Sequence, residues 1–439
     1  MKKVLVLGAG LVAKPLVHYL LDKGYHVSVV TRTVSKAEKM IAGYKNADAQ
    51  PLDLKDEDKL AEHVKGADLA VSLVPPPMHP VVAKMCIAHK KQMVTTSYVS
   101  DAMKALDGPA KEAGVTILNE IGVDPGIDHM SAMRIIDDVR KRGGKIVSFK
   151  SYCGGLPAPE DNTNPFGYKF SWAPRGVLVA GRNNAEYLLD GRVVKTPNAK
   201  LFRDMHMLQV DDFGEFEAYP NRDSISYIDV YGLQGIQTIF RGTLRNPGWC
   251  DCLHTFNRLG LLALEEIDCK GLTYAELMRK VVGAGPNDDL ATFIARKLLI
   301  PAESLPIANL RWLGMLSDRK LEGDKISPLD AMGNLMFEKL AYGPHERDMI
   351  VMWHDFRAEF PGGKRERITS RMIDFGIKDG DSSMSRTVSL PAAIGVHMIL
   401  NGKITARGVL RPVTADIYEP VLNELATMNI ACKEATEHY

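Results

Sequence analysis

No stretch of this 439-residue chain approaches the roughly 18 consecutive apolar residues that a membrane-spanning helix needs, so none is expected. Cysteine is scarce. The six present, Cys86, Cys153, Cys250, Cys252, Cys269 and Cys432, are spread along the whole length, which excludes the dense framework of a small disulfide-stapled protein. Reduced thiols are expected. Cys250 and Cys252 lack a second Cys or His pair at zinc spacing, so no metal site is expected. An excess of charge of one sign is missing too: 55 Lys and Arg balance 54 Asp and Glu, leaving no overall field to attract nucleic acid or an anionic membrane. Met1-Lys2-Lys3 runs straight into strand-like text rather than the apolar core of a signal peptide, and a cytoplasmic protein is expected. There is no internal repeat and no low-complexity linker.

What is present reads as a multidomain globular protein. The length is two or three times that of a usual domain, and 45% hydrophobic with 25% charged residues fits neither a disordered chain nor a coiled coil. Up to about residue 120, short β-branched runs alternate with helical patterns, the signature of βαβ units and a parallel sheet in an α/β fold. The expected strands are Lys3–Leu7, Val27–Val30, Leu69–Leu73, Gln92–Thr95 and Thr116–Asn119. Another, at Ala49-Gln50-Pro51-Leu52, carries a proline that weakens a central strand. Asp124-Pro125-Gly126 is a turn signal, after which an amphipathic helix leads to β-rich text at Lys145–Cys153 and a polar stretch from Pro157 to Pro165. The text becomes helical between about 255 and 350, and strands are expected again at Val351–Phe356 and Glu366–Asp374. Helical segments at Ala392–Leu400 and Pro420–Met428 are expected to return to the first domain. The domain reading is therefore 1–125 with 392–439, then 126–254 with 351–391, and a small helical part over 255–350.

Gly8-Ala9-Gly10-Leu11-Val12-Ala13 follows an apolar strand and opens an apolar helix, Leu16 through Leu21, which places G-x-G-x-x-A in strand–turn–helix context. Gly8 permits the tight turn, Gly10 lets a pyrophosphate approach the backbone, and small Ala13 lets helix and strand pack closely while the helix N-terminus faces the anion. An NAD site places an acid at the end of the second strand; this chain has Thr31-Arg32-Thr33. An acid would repel a 2′-phosphate, whereas Arg32 can pair with one, so NADP(H) is expected.

Ligands of open α/β sheets lie beyond the carboxyl ends of the strands. The strand-end residues are Arg32, Asp53, Val74, Thr96-Ser97-Tyr98 and Asn119 to Asp124. The apolar, stiff Val74-Pro75-Pro76-Pro77 suits a wall beside the cofactor or a structural loop. The hydroxyls around Ser97 suit a ligand, although one of them can cap the next helix. Asp124 can bind an amine or relay a proton, or it is an Asx-type turn residue. Cys153, before Gly154-Gly155, reads either as an exposed thiol at a turn or as a buried inert one.

Three long strings resemble one family: Asn119-Glu120-Ile121-Gly122-Val123-Asp124-Pro125-Gly126-Ile127-Asp128-His129, Ser151-Tyr152-Cys153-Gly154-Gly155-Leu156-Pro157-Ala158-Pro159 and Tyr219-Pro220-Asn221-Arg222-Asp223-Ser224. They are similar to the saccharopine reductases, the NADP-dependent, L-glutamate-forming saccharopine dehydrogenases of fungal lysine biosynthesis, and to the dehydrogenase half of the bifunctional lysine-degrading enzyme. The resemblance continues through Lys169-Phe170-Ser171-Trp172 and Arg241-Gly242-Thr243-Leu244 to Gly408-Val409-Leu410.

The resemblance implies a Rossmann domain completed by C-terminal residues, a mixed α/β domain for substrate binding and dimerisation, a small helical domain and a homodimer. It implies cofactor contacts at Ala9, Gly10, Leu11, Val12, Thr31, Arg32, Thr33, Asp53, Leu54, Val74, Thr96, Ser97, Val123, Asp124, Pro125 and Ser171. Saccharopine contacts are implied at Ser97, Tyr98, Asp124, Arg222, Arg241, Gly242 and Thr243. Saccharopine carries three carboxylates, which planar guanidinium groups match with paired hydrogen bonds; Arg222 and Arg241 are the expected anchors, with Arg175 and Arg245 as possible additions. Asp124, Tyr98 and Cys153 are the acid–base candidates for imine formation and reduction. The alternatives are a related polyamine-type imine reductase, forming carboxynorspermidine or homospermidine, and a non-catalytic NADP(H)-binding regulator. Asn221-Arg222-Asp223-Ser224 and Arg241-Gly242-Thr243 favour a polycarboxylate over a diamine.

Overall fold

The computed structural model describes residues 1–439. They divide into two compact units, one of Met1–Lys145 with Ala358–Glu366 and Met372–Tyr439, the other of Ile146–Arg357 with Arg367–Arg371.

The first unit is built on a seven-stranded parallel sheet. Its strands β1 (Lys3–Leu7), β2 (His26–Thr31), β3 (Ala47–Pro51), β4 (Leu69–Ser72), β5 (Gln92–Thr95) and β6 (Thr116–Leu118) are joined by a late strand, Gly408–Leu410. The spatial order is Gly408–Leu410, β6, β5, β4, β1, β2, β3. Helices on both faces bury the central strands, which is why Val4–Leu7 of β1 and Leu69–Val71 of β4 are continuous apolar runs rather than alternating ones. The proline-bearing β3 forms after all, two residues earlier than expected. It is an edge strand, where Pro51 removes no donor from an interior ladder.

Helix α1 (Lys14–Asp22) leaves β1 through the glycine turn, with Pro15 in its first turn and Leu16, Val17, Leu20 and Leu21 buried. It packs against the long helix Ser383–Leu400, where the Tyr25 hydroxyl meets His397 Nδ1 at 2.9 Å. The helix Ala415–Thr427 packs on Ile127–Lys141 and is fixed there by the Tyr418 hydroxyl, which donates to Asp137 at 2.8 Å. The C-terminal segment thus completes the first unit with both a strand and two helices.

The second unit carries a mixed sheet. Its strands are β7 (Lys145–Pro157), β8 (Ala185–Leu189), β9 (Arg192–Thr196), β10 (His206–Val210), β11 (Gly214–Pro220) and β12 (Thr238–Arg245). They run in the order β10, β11, β12, β7, followed by Asp348–Glu359 and the Arg367–Arg371 part of the strand Arg365–Phe375; β8 and β9 branch from β12. β12 lies parallel to β7 and antiparallel to β11. Phe149 stacks on Phe356 at 4.2 Å in its core.

Helices Trp249–Arg258, Tyr274–Val282, Leu290–Leu298, Leu305–Leu313 and Pro328–Lys339 follow, and the second of them starts from a capping box of Thr273 and Glu276. No helix of the chain is long and apolar enough to cross a membrane.

Candidate active site

The turn after β1 has the shape that the glycines predict. Gly8 has φ +110°, and a Cβ there would stand 2.9 Å from the Leu73 carbonyl oxygen. Only glycine meets both demands. At Gly10 a Cβ would meet nothing within 4 Å, so this backbone faces open space on the side where a pyrophosphate would lie. Ala13 is fully buried at the close contact of helix and sheet, and Leu11 is exposed. β2 ends at Thr31, which leaves Arg32 and Thr33 exposed just beyond the strand end. Asp53 is exposed beyond β3, and Leu54 and Val74 pack at the edge of the apolar core. These residues fit a dinucleotide that carries a 2′-phosphate. The glycine turn has room for phosphates, and the strand end offers a cation and hydroxyls instead of a carboxylate.

Beyond β5 and β6 the structure brings Tyr98 and Asp124 together, the phenol donating to Asp124 Oδ1 at 3.0 Å. The hydroxyls before Tyr98 do not cap the next helix, because Ser100 does so by accepting from the Met103 N–H. Val74-Pro75-Pro76-Pro77 is no featureless wall either. Pro76–Met78 form a 3₁₀ turn that delivers His79 to the start of the helix His79–Ala88. The segment bearing Asp124 is a tight loop with a cis Asp124–Pro125 bond, in which the Gly122 N–H donates to the Pro125 carbonyl at 2.8 Å. Gly126, at φ +150°, lies so close to Gly122 that a Cβ would overlap its backbone.

A buried polar network under this loop was not legible in the sequence. Glu120 Oε1 accepts from the Val99 N–H at 2.9 Å and from Arg411 Nε at 2.8 Å, and Oε2 pairs with His129 Nε2 at 2.9 Å. His129 Nδ1 lies 3.5 Å from Asp128 Oδ2, while Asp128 Oδ1 accepts from the Gly126 N–H at 2.5 Å. Burial raises the Glu120 pKa, but the hydrogen bond and charge of His129, the charge of Arg411 and the Val99 N–H outweigh it and bring the value down to about 2. Glu120 thereby ties the segment after Tyr98 to the loop that carries Asp124.

The remaining candidates belong to the second unit. Cys153 corrects the turn reading: it lies inside the 13-residue β7 and is buried, opposite Thr243 of β12. The following Gly154 marks a close approach rather than a turn, since a Cβ there would stand 2.6 Å from the Leu244 carbonyl oxygen. Gly242 likewise leaves room for the rings of Phe240 and Tyr152.

Arg222 and Arg241 are brought to one place by backbone bonds. The Asn221 N–H donates to the Arg241 carbonyl at 2.8 Å, and the Arg241 N–H donates to Ser224 Oγ at 2.9 Å. Arg222 is exposed, with a left-handed φ of 54°, and the buried Arg241 guanidinium lies over the Tyr227 ring. Arg175 pairs with Asp330 at the surface. Arg245 is buried against the rings of Tyr168 and Trp249, and its guanidinium donates to the Leu244 carbonyl. Ser171 is buried, with no hydrogen-bond partner for its hydroxyl.

A parallel sheet entered through a glycine turn, with a cation and hydroxyls at the second strand end, defines the class as a dinucleotide-binding α/β protein of the Rossmann type. Comparison with known proteins narrows it. Residues 4–118 match the saccharopine dehydrogenase NADP binding domain, and residues 122–430 match the saccharopine dehydrogenase C-terminal domain. The chain is 39% identical over 444 residues to the saccharopine dehydrogenase [NADP(+), L-glutamate-forming] of Pyricularia oryzae, covering 99% of this chain and 98% of that one. It is also 39% identical over 443 residues to the mitochondrial alpha-aminoadipic semialdehyde synthase of Bos taurus, but covers only 47% of that longer protein. Among solved structures, the apo saccharopine dehydrogenase (L-Glu forming) of Saccharomyces cerevisiae superimposes over 100% of both chains, with a TM-score of 0.89 and 37% identity. The chain belongs to the saccharopine dehydrogenase family.

Proposed function

We infer that the chain is an NADP-dependent, L-glutamate-forming saccharopine dehydrogenase. It reversibly reduces the imine of L-2-aminoadipate 6-semialdehyde and L-glutamate to saccharopine. The observation that carries this reading is 39% identity over 99% of this chain and 98% of a fungal enzyme named for that reaction. Bound NADPH supplies the hydride to the imine carbon, and NADP+ takes it back in the reverse direction.

The turn from Gly8 to Val12 accommodates the pyrophosphate, and Thr31, Arg32 and Thr33 receive the 2′-phosphate. Asp53, Leu54, Val74, Thr96, Ser97, Val123, Asp124, Pro125 and Ser171 complete the proposed cofactor contacts. Arg222 and Arg241, held together through the Asn221–Ser224 turn, anchor substrate carboxylates, with Gly242 and Thr243 beside them.

Tyr98 and Asp124 are the proposed proton-handling pair. The carboxylate stabilises the iminium cation and accepts the amine proton, while the phenol bonded to it orients that carboxylate and supplies a proton in turn. Cys153 is the third proposed participant, through its position opposite Thr243. The family resemblance further supports a homodimer, which sedimentation would reveal as twice the 48.4 kDa chain mass.

The test follows NADPH absorbance while the purified chain receives 2-aminoadipate 6-semialdehyde with glutamate, alongside NADH, no-glutamate and diamine controls. Glutamate-dependent oxidation yielding saccharopine is expected. Turnover with a diamine instead would move the chain to polyamine synthesis, and NADPH binding without any turnover would leave a regulator.

A further inference from the structure

Beneath Ser97 runs a chain of hydrogen bonds that the proposed reaction does not use. Ser72 ends β4 with no exposed surface, and its Oγ lies 2.8 Å from His79 Nδ1. On the far side of the ring, His79 Nε2 lies 2.8 Å from Ser97 Oγ. His79 is 2% exposed, and burial pushes its pKa down to about 4, so the ring is neutral at physiological pH. A neutral imidazole has one donor and one acceptor nitrogen, which gives the chain a direction. With the proton on Nδ1, Ser72 would have to accept, and its own buried hydroxyl proton would be left without an acceptor, since His79 is the only hydrogen-bond partner of that oxygen. With the proton on Nε2, Ser72 donates to Nδ1 and every group is satisfied. The ring then donates to Ser97 Oγ, and the Ser97 hydroxyl proton points onward.

We propose that Ser72 and His79 form a one-way relay that fixes the half-buried Ser97 hydroxyl as a hydrogen-bond donor to an oxygen acceptor of the bound ligand. This rests on the reading of Ser97 as a contact residue for cofactor and substrate. The acceptor is a carboxylate oxygen of saccharopine or the carboxamide oxygen of the nicotinamide. His79 is a positioning residue: it acts through Ser97 and touches no reacting atom.

The test compares full-length Ser97→Ala, His79→Leu, His79→Gln, His79→Asn, Ser72→Ala and the His79→Leu/Ser97→Ala double variant. It reads NADPH Kd by fluorescence titration, saccharopine KM, and the thermal midpoint. Ser97→Ala and His79→Leu should each weaken the same ligand by about 10-fold, the value of one lost hydrogen bond. The double variant should be no weaker than either single one. His79→Gln should recover most of the affinity because its amide nitrogen reaches the place of Nε2, whereas His79→Asn, which reaches only the place of Nδ1, should not. Ser72→Ala removes the lock without emptying the ring site and should give a smaller loss, about 3-fold, on the same ligand. A loss in NADPH Kd identifies the carboxamide as acceptor, and a loss in saccharopine KM identifies a carboxylate. Wild-type affinities in Ser97→Ala would overturn both the contact reading and the relay. Additive losses in the double variant, or a His79→Leu or Ser72→Ala protein changed only in thermal midpoint, would overturn the relay and leave Ser97 as a contact residue.

Discussion

His79 and Glu120 are buried ionisable groups whose protonation the fold opposes, and both make the protein sensitive to acid. His79 falls from the usual 6.5 to about 4 through burial, so between those values the unfolded chain binds the proton and the folded chain does not. Its contribution is complete above pH 6.5 and is lost as the pH falls toward 4, with a slope of at most about 1.4 kcal/mol per pH unit. The depressed Glu120 pKa works in a lower window, where the contribution is complete above 4.5 and disappears as the pH falls toward 2. Urea unfolding midpoints measured from pH 7 to pH 4 should therefore decline in the wild type, and more gently in His79→Gln. Equal slopes would mean that His79 protonates as easily in the folded chain as in the unfolded one. Arg32 concerns affinity instead of stability, because it is exposed and supports nothing in the core. Arg32→Asp should weaken NADPH by roughly 10- to 100-fold, the worth of a charge-assisted bond, and leave NADH binding nearly unchanged. Fluorescence titration with both cofactors checks this, and an unchanged preference would remove Arg32 from the site.

Elements were legible where one local pattern decides the structure. Lys3–Leu7 and Gln92–Thr95 match the observed β1 and β5 to the residue, because uninterrupted apolar and β-branched runs between turn signals admit few other conformations. The helices at the C-terminal end begin well before the expected Ala392 and Pro420. A proline normally halts a helix, yet Pro391 and Pro420 lie inside Ser383–Leu400 and Ala415–Thr427, which continue past them because almost the whole of the first is buried. The two readings of Cys153 stayed open for the same kind of reason: Gly154-Gly155 looks like a turn locally, and only the approach of Leu244 from another strand decides for the buried one. The proposed site follows the same division. Gly8, Gly10 and Arg32 belong to one local β1–turn–α1–β2 pattern, whereas Glu120 meets Arg411 across 291 residues of sequence. The glycine turn allows a test that separates its two positions. Gly8→Ala meets both a positive φ and the Leu73 carbonyl, so it should lower stability as well as NADPH affinity. Gly10→Val points into open space and should cost affinity while the thermal midpoint stays near that of the wild type. A Gly10→Val protein that binds NADPH normally would show that the phosphates lie elsewhere.

At the scale of the whole molecule, the nucleotide-binding unit is not complete until the chain has almost ended. Gly408–Leu410 forms the edge of its sheet beside β6, and the Asn119 N–H donates to the Leu410 carbonyl at 2.9 Å. The next residue, Arg411, then reaches Glu120, whose same oxygen holds the Val99 N–H beside Tyr98. This late strand therefore does more than close a sheet edge: Arg411, which follows it, partly neutralises the carboxylate that holds together the segments bearing Tyr98 and Asp124. Arg411→Met should remove one charge-assisted bond from a buried acceptor and cost ~1.5–3 kcal/mol of stability. Because His129 still pairs with Glu120, the unit should fold, but with the Tyr98 segment held less firmly. The expected signature is a lowered urea midpoint together with a fall in kcat that exceeds any change in NADPH Kd, since the proposed phosphate contacts, Gly8 to Val12 and Thr31 to Thr33, lie in the turn after β1 and at the end of β2, and only the proposed contacts at Ser97 and Val123 to Pro125 border this network. Arg411→Lys, which keeps the charge but not the planar fork, should fall between the two. If Arg411→Met lost NADPH affinity and turnover in equal proportion, the C-terminal strand would be supporting the sheet as a whole, and Glu120 would have no separate hold on the Tyr98–Asp124 pair.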